Sequence, residues 1–310
     1  MAKAIRDAYG EALLKYAAEN ENVVVLDADL AGSTKSGIFG AQFSERFFNV
    51  GIAEANMTGM AAGLAATGKI PFINSFAAFL VTNGLLSIRS AICYTELNVK
   101  IAGAYGGLSD AFDGPTHHAI EDIAIMRAIP GLKVMVASDE RITDYLVKYA
   151  IDNYGPMYIR LSRNAVPDVY EEGYNFEFGK ANTIKDGGDV AVIACGLMVT
   201  TALEATKILE NEGISVKVVD MFTIKPIDKE AVIDAAKTGL VISLEEHNII
   251  GGLGSAVAEV MAGENLNARL EMIGVNDEFT LTGDYESIMD HFGLSAQKVA
   301  QRIKNAVEKK

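Results

Sequence analysis

The chain has 310 residues, enough for two domains of ordinary size. Half are hydrophobic and 22% are charged, a globular balance, and no apolar run approaches the ~20 residues of a membrane span. A formal charge of −14, from 27 basic and 41 acidic residues, argues against a nucleic-acid surface, so an anionic substrate must meet a local basic cluster. The opening residues MAKAIRDAYGEALLKYAAEN lack a signal peptide's apolar core and read as an amphipathic helix. Cys93 and Cys195 have no metal or redox spacing, which predicts a reduced, cytoplasmic setting.

Short β-branched runs then alternate with alanine-rich or amphipathic stretches of helical length. Val23–Leu26, Val99–Ala102, Val134–Ala137, Met157–Leu161, Val190–Ala194, Val216–Val219 and Leu240–Leu244 predict buried parallel strands. The fold class is therefore α/β, with two parallel-sheet domains and helices on both faces. The segment NAVPDVYEEGYNFEFGKANTIKDGG mixes Pro, Gly, acids and aromatics without a sustained period. It predicts a domain over residues 1–165, a linker over 166–188 with a short β-excursion, and a second domain over 189–310.

Ligands of open parallel sheets gather beyond the carboxyl ends of the strands. Four polar, Gly-rich clusters fall there: LDADLAGSTKSG, NVGIAEANM, AGAYGGLSDAFDGPTHH and LSRN. Glu54 opens the small-sided helix GIAEANMTGMAAGLAAT, which should pack closely on a neighbouring subunit. The helix dipole favours an ionised carboxylate there and burial a neutral one; an exposed helix-start acid is the plainer alternative. Phe76 and Phe79, on one face of a helix's first turn, could stack on a planar heterocycle or simply fill core. His117 and His118 follow a forced Asp-Gly-Pro turn at the start of the next helix. A histidine there can bind an anion or shuttle a proton, and adjacent ones should point apart and do different jobs. No further ligands at suitable spacing favour a metal site. Of Arg160 and Arg163, one should be buried in an ion pair while the other reaches the loop rim to recognise phosphate or carboxylate. LEEHNIIGGLGSAV lacks the Lys-Ser/Thr of a phosphate loop, so its glycines read as close strand–helix packing, with Glu245, Glu246 and His247 left as rim or subunit-contact residues.

The order DADLAGS, GIAEANMTGMAAGLA, FINSFAAF, DGPTHH and LSRN resembles the transketolase family over essentially the whole chain. The resemblance implies a pyrimidine-binding domain for thiamine diphosphate, followed by the family's C-terminal domain. It implies that Glu54 hydrogen-bonds the aminopyrimidine ring nitrogen and serves as the acid/base partner of the cofactor. Phe76 would pack on that ring, Phe79 would wall the same pocket, and Asp29 would stand beside the thiazolium. A third aromatic expected one turn later is here Thr82. Ser33, His117 and Arg163 would bind a sugar phosphate, with His117 also in the catalytic set, and Asp113 would read a substrate hydroxyl. Tyr105 stands where the family pattern has a histidine near the donor sugar, which leaves substrate preference open.

The family's GDG motif and following asparagine pair, which hold the diphosphate and its divalent metal, do not occur. Because the chain begins almost directly at the pyrimidine domain, the expectation is a separate N-terminal, diphosphate-binding subunit that holds Mg2+ or Ca2+, in an α2β2 heterotetramer. No metal ligand is assigned to this chain, and neither nucleic acid nor membrane is expected as a partner. The activity implied is transfer of a two-carbon ketol group between a ketose phosphate and an aldose phosphate, in the pentose phosphate pathway. Alternatives are the beta-type subunit of a 2-oxoacid dehydrogenase, a deoxyxylulose-phosphate synthase-like enzyme, and a non-catalytic structural subunit.

Overall fold

A computed structural model describes residues 2–310. The strands, in chain order, are β1 Lys3–Ala4, β2 Val23–Asp27, β3 Phe47–Asn49, β4 Ile70–Phe76, β5 Lys100–Ala104, β6 Lys133–Val136 and β7 Met157–Arg160. They continue with β8 Ala165–Val166, β9 Asn182–Lys185, β10 Val190–Ala194, β11 Val216–Asp220, β12 Thr223–Lys225, β13 Leu240–Asn248 and β14 Arg269–Val275. Among the described residues they form a seven-stranded sheet, β12-β6-β7-β5-β4-β2-β3, a five-stranded sheet, β14-β13-β10-β11-β9, and a small antiparallel β1-β8 pair. Both large sheets are parallel except for one antiparallel edge strand each, β12 and β9.

Alternation along the strands explains the unbroken apolar runs. Val23 and Val25 of β2 enter one hydrophobic cluster with helices Ile5–Ala17 and Glu140–Asp152; Val24 and Leu26 enter another with helix Glu54–Ala66. In β10, Val190, Val192 and Ala194 face the first cluster while Ala191 and Ile193 face the second. Each cluster thus runs across both domains, and strands apolar on both faces are what covered parallel sheets require. No helix among the described residues is long and apolar enough to cross a membrane.

The domains are interleaved at their contact. β9, within the segment 166–188, joins the second sheet, while β12, from within 189–310, pairs with β6 at the edge of the first. The carboxyl ends of β10, β11 and β13 point into this contact, where an open α/β sheet would otherwise receive a ligand. There Ser138 and Tyr170 donate to one oxygen of the buried Asp220, at 2.6 and 2.7 Å, and burial pushes that carboxyl up to about 7. Glu245, Glu246 and His247 are buried in the same region, within this chain, which corrects the reading of them as rim or subunit-contact residues. Glu245 accepts from the amides of Leu253 and Gly254 at 2.7 and 2.8 Å, so the chain supplies its own anion to the N-terminus of helix Leu253–Gly263. A Cβ on Gly252 would come within 2.0 Å of that carboxylate, consistent with glycines selected for close packing. Glu246 accepts from the amide of Leu108 at 2.8 Å, and burial pushes it up to about 7.

Arg160, the last residue of β7, ties this contact together. Its Nε donates to Asp122 at 2.8 Å, and its Nη2 donates to the carbonyls of Ala119 and Glu246, each at 3.0 Å. Both side chains of the pair are buried, at 5% and 0% exposure. Arg160→Met leaves Asp122 charged and uncompensated, so it should destabilise the fold by about 3–5 kcal/mol, with Asp122→Asn in the same chain recovering part of the loss. Denaturant midpoints measure this; a midpoint unmoved by Arg160→Met would show that the pair is not structural.

Candidate functional site

Local folding of the β2 end depends on Asp27. Its buried carboxylate accepts from the Leu30 amide at 2.6 Å and from the Thr34 and Ser36 hydroxyls at 2.7 Å each. Burial pushes Asp27 up while those donors pull it down. The loop wraps around this acid, and Asp29 is left exposed at φ 67°, where Asn49 donates to it at 2.9 Å. Ser33 lies partly buried in the short helix Ala31–Thr34. Between them Leu30 packs on the ring cluster described next.

At the end of β4, Ser75 Oγ donates to Glu54 Oε1 at 2.8 Å. Glu54 is 3% exposed, which excludes the plainer reading of an exposed helix-start acid. Its helix presents Ala55, Gly59 and Gly63 outward, and nothing stands within 4 Å of where a Cβ on either glycine would be. Phe76 is the last residue of β4, and Phe79 lies in the following helix Ala77–Asn83, so the two do not share a helical turn as the spacing predicted. Their rings nonetheless approach to 5.8 Å between centroids. Tyr105 stacks on Phe76 at 4.3 Å, and His117 meets Phe79 edge-on at 5.1 Å. Tyr105 has a left-handed backbone, φ 59°, and its hydroxyl accepts from Arg6. The guanidinium carbons of Arg6 and Arg163 each lie 5.5 Å from its ring centroid.

The loop from Tyr105 to Ile120 brings the remaining groups. Gly107 and Gly114 take positive φ, 71° and 76°, in close approach to the second domain. His117 and His118 lie in this turn, ahead of helix Asp122–Ala128 rather than at its start, so that helix's amides are not shared with them. They do point apart: His117 faces the rings, and His118 is buried at 3% exposure. Burial pushes the His118 imidazole down. Asp113 is exposed. Arg163 is the rim arginine, 39% exposed, and its Nη1 donates to Asp110 at 3.1 Å.

Asp110 was not singled out by the sequence pattern. Its side chain is 2% exposed. Burial and the neighbouring Asp113 push its carboxyl up to about 6, while Arg163 and His117 pull it down. Ser75 was also missed, although its place immediately before Phe76 in a polar strand end was the available signal. Of the expected residues, Phe76, Phe79, Tyr105 and His117 form one cluster. Glu54 is linked to it through Ser75, Arg163 through Tyr105, and Asp29 and Ser33 flank it at Leu30. Asp113 neighbours Asp110. Among the described residues, no group of three or more His, Cys, Asp or Glu is placed to hold a metal ion.

A carboxyl and a set of rings suit a planar, nitrogen-bearing aromatic ligand, and a rim arginine suits an anionic one. Comparison with known proteins points the same way. Residues 1–169 match the family model for the transketolase pyrimidine binding domain, and residues 179–299 match that for the transketolase C-terminal domain. The chain is 45% identical over 309 residues to a putative transketolase C-terminal section of Methanocaldococcus jannaschii, covering 99% of this chain and 97% of that one. It is 40% identical over 307 residues to a 6-deoxy-6-sulfo-D-fructose transketolase subunit of a Clostridium strain, covering 99% and 95%. Among solved structures, a split gene transketolase described as an inactive beta4 tetramer superposes with a TM-score of 0.89 at 45% identity, covering 99% of both chains.

Proposed function

The chain belongs to the transketolase family, whose members depend on thiamine diphosphate, and we propose that it is the pyrimidine-binding subunit of a split transketolase. The activity proposed is transfer of a two-carbon ketol group between a ketose and an aldose that each end in an anionic group, phosphate first. One observation carries the reading: a buried carboxyl, Glu54, is held by Ser75, the residue preceding Phe76 of the Phe76–Phe79–His117 ring cluster. That arrangement fits the aminopyrimidine. Oε1 of Glu54 is engaged by Ser75, and Oε2 has no hydrogen-bond partner among the described residues, which leaves it free for a ring nitrogen. Thiamine diphosphate, when bound, supplies the electron sink for breaking and re-forming a carbon–carbon bond.

The chain's own residues then have separable tasks. Glu54 holds a proton at the pyrimidine ring nitrogen, and Phe76 and Phe79 orient the ring and exclude water. Asp29 stands toward the thiazolium end. Ser33, His117 and Arg163 bind the anionic end of the sugar, His117 being also placed to move a proton, Asp113 accepts from a sugar hydroxyl, and Tyr105 shapes the donor side. Diphosphate and a divalent metal, Mg2+ or Ca2+, fall to a partner subunit in an α2β2 assembly. The outward row Ala55, Gly59 and Gly63 supports close subunit packing, because small residues let helices approach. The printed descriptions of the relatives, a C-terminal section and a transketolase subunit, support a partner too.

A sulfonated sugar is a second reading for the anionic substrate, favoured by the relative that acts on 6-deoxy-6-sulfo-D-fructose. Arg163→Met in the assembled enzyme should raise KM for a phosphorylated or sulfonated sugar by about 10- to 100-fold, the worth of a charged hydrogen bond. KM for an unphosphorylated sugar should stay near wild type. Equal changes for charged and neutral sugars would contradict the assignment of Arg163, and comparing a sugar phosphate with a 6-deoxy-6-sulfo sugar identifies the preferred anion.

A further inference from the structure

The second domain makes a set of contacts to the substrate loop that the ketol-transfer reading does not use. After β14 the chain turns back along residues 276–283 and lies against residues 110–118. Thr280 Oγ1 sits 2.5 Å from His118 Nδ1, and the Gly283 amide donates to the Ala111 carbonyl at 3.2 Å. Thr282 abuts Gly114 so tightly that a Cβ there would come within 2.1 Å of its hydroxyl. A crevice of about 270 Å3, lined by Pro115, Glu121, Asn248 and Phe279, runs beside this contact.

The proton positions follow from chemistry. His118 Nε2 faces the Asp110 carbonyl at 3.1 Å, and a carbonyl only accepts, so Nε2 carries the proton. Burial pushes the imidazole down and keeps it neutral near pH 7. Nδ1 is then an acceptor, and the Thr280 hydroxyl donates to it. On the far side of the loop, the Asp110 carboxylate holds Arg163 at 3.1 Å. Thr280, His118, Asp110 and Arg163 thus form one continuous chain of polar contacts from the second domain to the rim of the first.

We propose that Thr280 and His118 are positioning residues, through which the second domain fixes the substrate loop and the Arg163 guanidinium. The inference rests on the reading of Arg163 and His117 as sugar-binding groups, and it gives the second domain a task beyond assembly. The exposed loop residues Phe112, Asp113 and Thr116, together with two positive-φ glycines, provide little rigidity of their own. Thr280 and Thr282 supply it from outside, the first through the loop's own buried imidazole, His118.

The test uses Thr280→Val, which keeps the shape and deletes the donor, and Thr280→Ser, which restores it. In the complex with the diphosphate-binding subunit, Thr280→Val should raise KM for a phosphorylated sugar about 10-fold, the effect of leaving a buried acceptor unpaired. Its kcat and its KM for an unphosphorylated sugar should stay within about twofold of wild type, a difference at the level of ordinary additivity error. Thr280→Ser should recover wild-type KM. Amide hydrogen exchange across residues 106–120 of the chain should quicken about 10-fold in Thr280→Val while the sheets keep their protection. Wild-type KM and wild-type loop exchange in Thr280→Val would overturn the inference, as would a loss in kcat that Thr280→Ser does not restore. An inactive wild-type complex would instead overturn the ketol-transfer reading, and loop exchange would still decide whether Thr280 tethers the loop.

Discussion

Glu54→Gln should lower ketol transfer by the assembled enzyme at least about 10²-fold, the usual worth of a positioned acid/base group. Glutamine retains the length of the side chain and an oxygen able to accept from Ser75, so the contact at 2.8 Å survives. What it removes is a carboxyl able to hold or release a proton at a ligand nitrogen. Glu54 is 3% exposed at the first position of helix Glu54–Ala66, so solvent cannot readily substitute for it. The variant should therefore fold and assemble as the wild type does while kcat falls. Steady-state kinetics on the complex, with thermal melts of both proteins, measure the two effects separately. Turnover unchanged by Glu54→Gln would identify the chain as a structural subunit that keeps the fold without the chemistry.

Much of the fold was legible because both faces of each sheet are covered. Runs such as VVVL and VAVIA are apolar without interruption, and they fall in β2 and β10. β4 was hidden by Pro71, Asn74 and Ser75, polar or rigid residues inside a strand. The spacing of Phe76 and Phe79 therefore reads as helical, although Phe76 ends β4 and its ring still meets Phe79. β14 opens with Arg269 at the edge of its sheet, where one side has no strand neighbour and the apolar signal fades. β12 is too short to announce that it crosses to the first domain's sheet.

The site was legible where its chemistry is local. The aromatic pair, the Gly-rich loop and the separation of roles between Arg160 and Arg163 all reside in short segments. The contacts that hold those groups are long-range, and sequence spacing carries no trace of them. Thr280 meets His118 from the other domain, and Glu246 reaches the Leu108 amide the same way. Asp110 sits in the quoted loop yet was passed over, because nothing in the string SDAFD says which aspartate turns inward. The misplacement of Glu245, Glu246 and His247 has a physical cause as well. Charged residues at a strand end usually mark a rim, but here that end is sealed by the other domain.

The second large effect expected is all-or-none, and it concerns the partner. On the function proposed above, the residues of this site would hold the pyrimidine ring and the sugar, while the diphosphate and its metal would need groups of another subunit. Binding the ring alone leaves the reactive end of the cofactor unanchored, and loss of orientation forfeits most of the rate advantage. The decisive measurement is ketol transfer with thiamine diphosphate and magnesium for this chain alone, for its diphosphate-binding companion alone, and for the two mixed. Transfer in the mixture only, with neither subunit active by itself, is the predicted result. Full ketol transfer by this chain alone would contradict the account.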